Sequence, residues 1–434
     1  EDFLFVVVKN RDTDVMELEN LLTGVLEEIV RDRKLPGVAA GVVNCGDGEE
    51  GAFASTGERA PGQKWGPDTM FQVHSVTKLV TQFAAMRLVE DGRLSLSDEV
   101  RVHLGEHWSS ENLRVYRGKK IEGEPVYERV KREITVLHLM THTSGLSYAC
   151  PWGTPVDEMY QSSYAKAAAM SERETPQQLE NRLSKLPLCG QPGEFFNYSA
   201  STDILGRILE GICKTTLDRV LDELVIAPLD MQNTFFAPNG MDSSSIARIY
   251  ERSPVGDLED ITDFELARDA KPIGGKGLVS TVADLMKFSA AFMTGKSAKG
   301  VELLSKESID LVKTDHVGII QDRICSESSA FGRFKFGLGV AIEPLGFGPG
   351  FAGKGSFFWI GFGGNFVSFD PQTGIGIVFA MQVYTDIRWD DCLYSRQKIA
   401  EAVYKHHANS KERGHSGQPH RPPIKTSAQE TRET

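Results

Sequence analysis

The sequence predicts an α/β (α+β) fold in which an antiparallel sheet is flanked by two terminal helices and interrupted by a helical insertion. Three observations support this prediction. Strand-like segments rich in β-branched and aromatic residues occur near both ends of the chain, amphipathic helical patterns lie outside them, and further helical patterns fill the middle. Strands from the two ends then share one sheet, and a ligand is expected in the crevice between this sheet and the helical insertion.

The N-terminal part has the pattern of a helix followed by a hairpin. Apolar residues recur at helical spacing over 13–34, and the Leu-Pro-Gly tripeptide at 35–37 ends the helix. Residues 38–43 form a short apolar run typical of a buried strand. Asp47-Gly48 predicts a turn, so residues 51–56 are expected to return as the second strand.

Helical patterns at 201–213 and 215–226 dominate the middle of the chain, whereas the polar stretch 104–130 is not assigned. Near the C-terminus, three strands are predicted at 334–342, 356–369 and 374–383, followed by a closing helix over 390–406. The predicted organisation is a split sheet domain over residues 12–65 and 265–407, a mainly helical domain over 66–264, and a disordered tail over 408–434.

Composition limits the classes of partner. The chain has 434 residues, 40% hydrophobic and 25% charged, as expected of a globular protein with a large core. Its formal net charge of -12 argues against nucleic acid or an anionic membrane as the main partner. No apolar run reaches transmembrane length, and the run at 3–8 is too short for a signal peptide, so a cytoplasmic location is expected.

Six cysteines are scattered along the chain without the spacing of a metal site, and we expect buried thiols rather than a disulfide framework. They are Cys45, Cys150, Cys189, Cys213, Cys325 and Cys392. No motif calls for a metal or another cofactor, and none is predicted. The Gly-rich stretch 348–353 resembles a phosphate-binding loop, but Gly355 stands where a magnesium-binding hydroxyl is needed.

Ser75 and Lys78 are the strongest candidates for chemistry. They lie three residues apart at the start of a predicted helix, which places a hydroxyl and an amine on one face. An amine that accepts the serine proton makes the hydroxyl a better nucleophile, and the helix N-terminus favours the negative charge that gathers there. Alone the pattern is weak, because a capping serine and a solvated lysine have the same spacing.

Three further segments resemble a known family and occur in its order. Pro192–Ser199 resembles P-G-x-x-F-x-Y-S, Leu139–Leu146 resembles L-L-x-H-T-S-G-L, and Gly274–Thr281 with Asp284-Leu285 resembles G-G-L-x-S-T-x-x-D-L. Together with S-x-x-K, they identify a resemblance to the serine β-lactamase-like superfamily, which contains class C β-lactamases, DD-peptidases, family VIII carboxylesterases and fungal transesterases. The resemblance extends from about residue 20 to 405 and implies the β-lactamase/transpeptidase fold.

The resemblance implies roles for three residues. Ser75 would be the acylated nucleophile, and Lys78 and Tyr198 would share its proton as general base and then general acid. Which of the two takes the proton first is left open. Lysine and tyrosine both titrate near 10 in water, so each needs an environment that tunes it. His142 is expected to be structural, hydrogen-bonded near the helical core.

The family's third motif lies on an edge strand facing the nucleophile, and Trp359-Ile360-Gly361 is the best match. The N–H of Phe362 would then form an oxyanion hole with the N–H of Ser75. Lys354-Gly355-Ser356 is the rival register, which would place a cation near a substrate carboxylate. His74 precedes the nucleophile and either lines the cleft or packs beneath it.

Two departures from the β-lactamase pattern favour an ester. Ala200 replaces the asparagine that hydrogen-bonds a β-lactam or peptide, and the third motif in the Trp359-Ile360-Gly361 register has no lysine. The aromatic residues Phe357, Phe358, Trp359 and Phe362 predict a pocket for a fairly apolar acyl group. The fungal transesterase branch has a similar strand that ends in glutamine, here Gln382.

The predicted activity is therefore that of a serine hydrolase that cleaves carboxylic esters through an acyl-enzyme. The alternatives are an acyltransferase or transesterase of secondary-metabolite biosynthesis, a β-lactamase or D-amino-acid peptidase, and a non-catalytic scaffold of the same fold. The expected partner is a small-molecule ester, or an acyl donor with an alcohol acceptor. The oligomeric state is not predicted.

Overall fold

The structure is a computed structural model that describes residues 2–45, 51–148, 154–169, 174–238, 241–269, 271–318, 334–347, 353–384 and 390–416. Cys150, Cys325, the Asp47-Gly48 turn and the Gly-rich stretch 348–352 lie outside these ranges.

The helices are α1 Asp2–Arg33, α2 Thr77–Glu90, α3 Val100–Leu104, α4 Val136–Met140, α5 Pro155–Ala168, α6 Pro176–Leu183, α7 Ser201–Cys213, α8 Leu217–Leu221, α9 Thr262–Asp269, α10 Val282–Thr294, α11 Lys306–Val312 and α12 Asp390–Ser416. Short 3-10 turns occur at His74–Val76, Glu106–Trp108 and Ser243–Ser245, and a π turn at Asp222–Ile226 follows α8.

The strands are β1 Gly37–Asn44, β2 Gly51–Ala60, β3 Gln63–Lys64, β4 Phe71–Gln72, β5 Arg114–Lys119, β6 Pro125–Arg129, β7 Phe235–Phe236, β8 Tyr250–Arg252, β9 Leu258–Asp260, β10 Leu278–Ser280, β11 Lys335–Phe336, β12 Ala341–Ile342, β13 Phe357–Ile360, β14 Phe366–Asp370, β15 Ile375–Ala380 and β16 Val383–Tyr384.

One large antiparallel sheet joins the two ends of the chain, as predicted. Its strand order is β11-β12-β13-β14-β15-β1-β2-β3, so the N-terminal hairpin continues the C-terminal strands. The junction is the β1–β15 pair, in which Ala40 lies opposite Phe379. Residues 37–43 of β1 are all buried, which requires cover on both faces of the sheet. Helix α10 packs against one face, and α1 with α12 covers the other.

Glycines let α10 approach the sheet closely. A Cβ at Gly41 would lie 2.4 Å from the Met286 sulfur, and one at Gly376 would lie 2.1 Å from the Ser289 hydroxyl, both on α10. Aromatic side chains fill the space that these strand glycines leave without side chains. Phe292 of α10 contacts Phe83 of α2 at 5.3 Å and Phe369 of β14 at 5.0 Å, so α10 connects α2 to the sheet.

The terminal helices run antiparallel and hold each other through charged pairs, including Glu28 with Lys398 and Glu17 with Arg413. Two predicted boundaries were wrong. Helix α1 starts at Asp2 rather than at 13, and α12 continues to Ser416. The prediction of disorder from residue 408 is therefore wrong as far as 416, because pairing with α1 stabilises a polar segment that composition alone marks as disordered. Residues 417–434 lie outside the described part.

The C-terminal strands are shorter and more numerous than predicted. The segment 334–342 forms the two strands β11 and β12. The segment 356–369 is divided by a turn at 361–365, in which Gly364 has a φ of +86° and donates to the Gly361 carbonyl. The last segment forms β15 and then β16, which leaves the large sheet and pairs in parallel with β8.

The unassigned polar stretch contains the β5–β6 hairpin, and the helix predicted at 215–226 is α8 followed by the π turn. Helix α2 is apolar on most sides, and its residues from Thr77 to Met86 are buried, as expected. Within the described ranges, none of the helices combines the length and hydrophobicity that crossing a bilayer needs.

Candidate active site

Ser75 lies in the 3-10 turn His74–Val76, directly before the first turn of α2. The turn is held from three sides. The Val73 N–H donates to the Leu278 carbonyl of β10 at 3.0 Å, and the Asn365 amide donates to the Val73 carbonyl at 3.1 Å. The Gln382 amide donates to the Gln72 carbonyl at 2.9 Å. These bonds fix the backbone of the serine at the N-terminus of a buried helix.

The structure brings Ser75, Lys78 and Tyr198 together. The Tyr198 hydroxyl lies 2.7 Å from Ser75 Oγ, and Lys78 Nζ lies 3.2 Å from the same oxygen. A hydroxyl both donates and accepts, so Ser75 can pass its proton towards either neighbour. The distances are within the hydrogen-bond range required of a nucleophile and its base.

Lys78 is almost fully buried, with 1% of its surface exposed. Besides Ser75, its Nζ donates to the Gly275 carbonyl at 2.7 Å. It lies 4.9 Å from the centre of the Tyr198 ring and 5.2 Å from that of Tyr148. Aromatic faces and a carbonyl stabilise an ammonium, whereas burial disfavours its charge, so the site supplies the opposing effects that tune a lysine.

Tyr198 is held by its neighbours in the chain and by rings around it. The backbone N–H of Asn197 donates to the His142 carbonyl at 2.8 Å, and the Asn197 amide donates to the Leu146 carbonyl at 2.6 Å. The Tyr198 ring contacts His142 at 4.9 Å and Trp359 at 5.3 Å. The loop that contains 142–146 therefore positions the phenol.

His142 supports this loop, in line with the structural role expected from the sequence. Its backbone has a φ of 53°. The Ser199 N–H donates to His142 Nδ1 at 3.3 Å, which leaves the imidazole proton on Nε2. Burial, and secondarily the charge of Lys78, holds the pKa of His142 well below its usual value, so the ring is neutral at pH 7.

The strand that contains the third motif is not the edge strand that was predicted. Trp359 lies on β13, which is not an edge strand because β12 and β11 lie outside it. However, β12 pairs only with Phe357 and Phe358, and the Trp359 end of β13 continues beyond it. The strand contacts the Ser75 turn, and Gly361 directly after it lies against the Val73 carbonyl. The last residues of β13 therefore lie at an edge of the sheet, although the prediction placed the whole strand there.

Trp359 is 2% exposed and packs on Tyr198, and Phe357 and Phe358 are fully buried, so these three rings belong to the core rather than to an open acyl pocket. Phe362 is 39% exposed, and its ring contacts Tyr384 at 4.6 Å. The Phe362 side chain is the part of the predicted aromatic surface that a substrate can reach.

Gly361 lies against the chain before the nucleophile, because a Cβ there would be 2.6 Å from the Val73 carbonyl. Its own N–H donates to the Asn365 carbonyl at 2.7 Å. The rival register lies at the opposite end of β13, where the Gly355 N–H donates to the Glu343 carbonyl at 2.8 Å. The geometry favours Trp359-Ile360-Gly361 over Lys354-Gly355-Ser356.

His74 is 4% exposed and has a φ of 47°. Its ring meets Tyr384 edge-on at 5.3 Å, and a Cβ at Gly363 would lie 2.9 Å from its Nε2. His74 therefore packs beneath the turn at 361–365 that contains Phe362. This is the second of the two positions predicted for His74. A contact of His74 with substrate stays a prediction.

Sequence reasoning did not find Asp203, Tyr148 or Asn365. Asp203 accepts from the Gly275 N–H at 2.7 Å and from the Tyr148 hydroxyl at 3.4 Å. Asn365 binds the backbone before Ser75. The Gly274-Gly275 doublet is the available signal, because paired glycines often mark close backbone contact. Asp203, which accepts the hydrogen bond at this contact, belongs to none of the sequence motifs.

Of the four cysteines in the described ranges, Cys213 and Cys392 are free thiols, as predicted. Cys392 is buried, but Cys45, Cys189 and Cys213 are only partly buried, so the expectation of burial was wrong for these three.

Comparison with known proteins identifies the family. The Beta-lactamase family model matches residues 22–388. Protein Rv1367c of Mycobacterium tuberculosis is 30% identical over 339 residues, which cover 74% of this chain and 80% of that protein. Esterase EstB of Burkholderia gladioli is 30% identical over 229 residues, covering 51% and 53%. Monacolin J acid methylbutanoyltransferase of Aspergillus terreus is 26% identical over 359 residues, covering 78% and 82%.

Two solved structures show the same fold. EstCE1, described as a hydrolase with promiscuous acyltransferase activity, aligns with a TM-score of 0.69 at 22% identity, over 90% of this chain and 99% of that one. The LovD6 mutant of simvastatin synthase from Aspergillus terreus aligns with a TM-score of 0.72 at 23% identity, over 89% and 94%. The predicted fold is confirmed, and the protein is an enzyme of the serine hydrolase and acyl-transfer type. The chain belongs to the beta-lactamase family.

Proposed function

We propose that the protein is a serine carboxylesterase that forms an acyl-enzyme on Ser75. One observation carries the proposal: Ser75 Oγ has both a buried amine at 3.2 Å and a phenol at 2.7 Å. This is the proton-transfer pair that a weak oxygen nucleophile requires.

In the acylation step, Ser75 Oγ bonds to the ester carbonyl carbon while its proton passes to the Lys78–Tyr198 pair. The carbonyl oxygen becomes an oxyanion. The N–H groups of Ser75 and Phe362 are the proposed donors to it, since Gly361 lies against the chain at Val73. The bond from the carbonyl carbon to the alcohol oxygen then breaks, the alcohol takes the proton back from the pair, and the acyl group remains on Ser75.

In the second step, water gives a proton to the same pair and bonds to the acyl carbon. The bond between this carbon and Ser75 Oγ breaks, the serine regains its proton, and a carboxylic acid leaves. The phenol and the amine therefore work in both directions. They need no third catalytic residue for the proton, and the neutral, buried His142 supports only the position of Tyr198.

The surroundings of the serine favour an ester over a β-lactam or a peptide. Ala200 is buried at the start of α7, so an amide that could bind a lactam or peptide carbonyl is replaced by a methyl group. The exposed face of Phe362 next to Tyr384 gives an apolar surface beside the proposed oxyanion donors. An acyl group with a short hydrocarbon chain fits this surface by its chemistry.

The test is hydrolysis of p-nitrophenyl acetate and butyrate by the wild type, Ser75→Ala and Tyr198→Phe. Removal of the nucleophile should abolish enzymatic turnover, and removal of the phenol should lower kcat by about 10²- to 10³-fold. Intact mass after exposure to a fluorophosphonate should increase by one adduct in the wild type and stay unchanged in Ser75→Ala. Equal turnover in wild type and Ser75→Ala would disprove the proposal.

Acyl transfer to an alcohol is the second candidate. It is favoured by the Monacolin J acid methylbutanoyltransferase match, which covers 78% of this chain, against 51% for the EstB match. The chemistry on Ser75 is the same until an alcohol replaces water. Product analysis with p-nitrophenyl butyrate and a panel of alcohols separates the two, because a transferase forms the new ester faster than free butyrate.

Two other candidates remain testable in the same experiments. Rapid hydrolysis of nitrocefin would assign a β-lactamase and contradict the reasoning from Ala200. A wild type that takes up no mass from the fluorophosphonate or the esters would indicate a non-catalytic scaffold, despite the retained Ser75, Lys78 and Tyr198.

A further inference from the structure

The Gly274-Gly275 segment lies between Lys78 and a buried carboxylate. The Gly275 carbonyl accepts from Lys78 Nζ at 2.7 Å, and the Gly275 N–H donates to Asp203 Oδ1 at 2.7 Å. The preceding carbonyl, of Gly274, accepts from the Thr81 hydroxyl at 2.9 Å. One glycine thus connects the lysine that faces the nucleophile to an acid on another helix.

The contact is close enough to exclude side chains. A Cβ at Gly275 would lie 2.4 Å from Asp203 Oδ1 and 2.6 Å from the Tyr148 hydroxyl oxygen. A Cβ at Gly274 would lie 2.1 Å from the Thr202 carbonyl. A larger residue at Gly274 must therefore displace backbone, and one at Gly275 must displace either its own backbone or the Asp203 and Tyr148 side chains that contact it.

Asp203 is built into this site. It lies in the first turn of α7 and is 5% exposed. Its second oxygen accepts from the Tyr148 hydroxyl at 3.4 Å. Burial raises the pKa of Asp203, while the charge of Lys78 and the Gly275 N–H lower it, so the lysine and the aspartate stabilise each other's charged forms.

We propose that Asp203 is a positioning residue that holds the Gly275 carbonyl against Lys78 and sets the charge balance of the amine that activates Ser75. The inference rests on the proposed function. Asp203 acts on Lys78 through one peptide backbone, because it accepts from the Gly275 N–H while the Gly275 carbonyl accepts from Lys78. Neither the motif pattern nor the family match gives this positioning role to Asp203.

The charge part of the role is tested by Asp203→Asn, which keeps the size of the side chain. The ammonium loses a neighbouring negative charge and releases its proton more readily, so the acid limb of the kcat/KM profile should move to lower pH by roughly one unit. The direction is the same if Tyr198 is the base, because loss of the carboxylate also favours a phenolate. The other titratable groups around the Lys78–Asp203 pair are Tyr148, Tyr198, His142, Lys271 and Lys276.

The positional part is tested by Gly275→Ala, which keeps every charge. Its Cβ overlaps Asp203 Oδ1 and the Tyr148 hydroxyl, so the Gly275 backbone and the Asp203 carboxylate must separate whichever of them moves. The value of kcat should then fall by about 10- to 100-fold while KM changes less than threefold. If Asp203→Asn does not fold, this variant decides the question. A kcat equal to that of the wild type in Gly275→Ala would overturn the proposal.

Asp284→Asn is the matched control. Asp284 is also a buried aspartate in the first turn of a helix, and it accepts from the Asn233 N–H at 2.8 Å. Its loss should lower the melting temperature without moving the pH profile. A profile of Asp203→Asn that coincides with the wild type, in an enzyme that hydrolyses p-nitrophenyl acetate, would overturn the role of Asp203 alone. A wild type without any acylation would overturn the proposed function and this role with it.

Discussion

Among the residues that the structure describes, two cations are buried among aromatic rings, Lys78 beside the nucleophile and Arg396 on α12. Arg396 donates to the Glu343 carboxylate at 3.1 Å, and its guanidinium lies 3.6 Å from the Phe358 ring and 4.6 Å from that of Phe347. Lys78 donates instead to a hydroxyl and a carbonyl, and tyrosine rings surround it. Both side chains are almost fully buried.

The difference lies in what each cation can do. A guanidinium stays protonated, and a direct bond to a carboxylate fixes it, so Arg396 serves as a packing element between α12 and β13. A lysine amine can lose its proton when it is buried, and neutral acceptors leave that possibility open. A buried charge thus indicates chemistry when its direct partners are neutral and one of them is a nucleophile, whereas a buried ion pair indicates structure.

The largest effect is expected for Lys78→Met, which replaces the amine by an apolar side chain of similar length. We expect kcat/KM for p-nitrophenyl acetate to fall by about 10³- to 10⁴-fold, because the serine loses its amine partner. The free energy of unfolding should change less than it does for the loss of Arg396, because Asp203 keeps the Gly275 N–H and the Tyr148 hydroxyl. Steady-state kinetics and urea denaturation measure the two quantities.

The comparison between the two cations fails if Lys78→Met unfolds the protein while its activity per folded molecule persists. Lys398→Met is a suitable control, since Lys398 is a partly exposed lysine that pairs with Glu28 on the surface. It should leave kcat/KM unchanged.

Arg396→Met is the converse test. It removes the guanidinium but leaves the Glu343 carboxylate buried. The Leu345 N–H donates to this carboxylate at a long 3.4 Å. The free energy of unfolding should therefore fall by about 3–5 kcal/mol. Activity measured on the folded fraction should stay within about threefold of the wild type, because Arg396 faces β13 from the α12 side. Chemical denaturation followed by tryptophan fluorescence measures the loss.

The double variant Arg396→Met, Glu343→Met serves as the control for this pair. Removing both charges should recover most of the lost stability, since an apolar pair of similar volume is often neutral or stabilising. A double variant as unstable as the single one would mean that packing, rather than the broken Arg396–Glu343 ion pair, causes the loss.

The smallest effect concerns the neutral histidine near Lys78. The pKa of His142 in the folded protein lies well below its ordinary value of about 6.5. Below that pH the unfolded chain takes up a proton that the folded one does not, so stability falls as pH drops, by up to about 1.4 kcal/mol per pH unit. His142→Asn tolerates the φ of 53° and should remove this part of the acid sensitivity.

Melting temperatures between pH 7 and 5 would check this. Burial, and secondarily Arg132, also lowers the pKa of His138, so some acid sensitivity should persist in His142→Asn and decrease further when both histidines are replaced. Parallel curves for wild type and His142→Asn would show that His142 takes up its proton in the folded protein.

Much of the fold could be predicted because short-range signals were clear. The S-x-x-K spacing and the Pro-Gly segment before Tyr198 identified the three central residues, and the strand patterns at both ends identified the shared sheet. The turn at 361–365 was missed, although Gly363-Gly364 is a doublet that often interrupts a strand. Aromatic and β-branched residues on either side concealed it.

The parts that could not be predicted depend on contacts between distant residues. Asp203 binds the backbone of Gly275, which is 72 positions away, and the Asn365 amide binds that of Val73, which is 292 positions away. A side chain that binds a backbone group requires no particular residue type at the other end, so no sequence pattern marks the pair. The end of α12 is another example, since its polar residues pair with residues of α1 that lie far away in the sequence, as Arg413 does with Glu17.

The two halves of the candidate site are anchored by separate sets of bonds. Asn365 and Gln382 tie the serine backbone to the sheet side, whereas Asn197 ties Tyr198 to the loop at 142–146. The two sets of bonds share no residue, so a substitution in the loop at 142–146 can shift the Tyr198 phenol while the serine backbone keeps its bonds to Asn365 and Gln382.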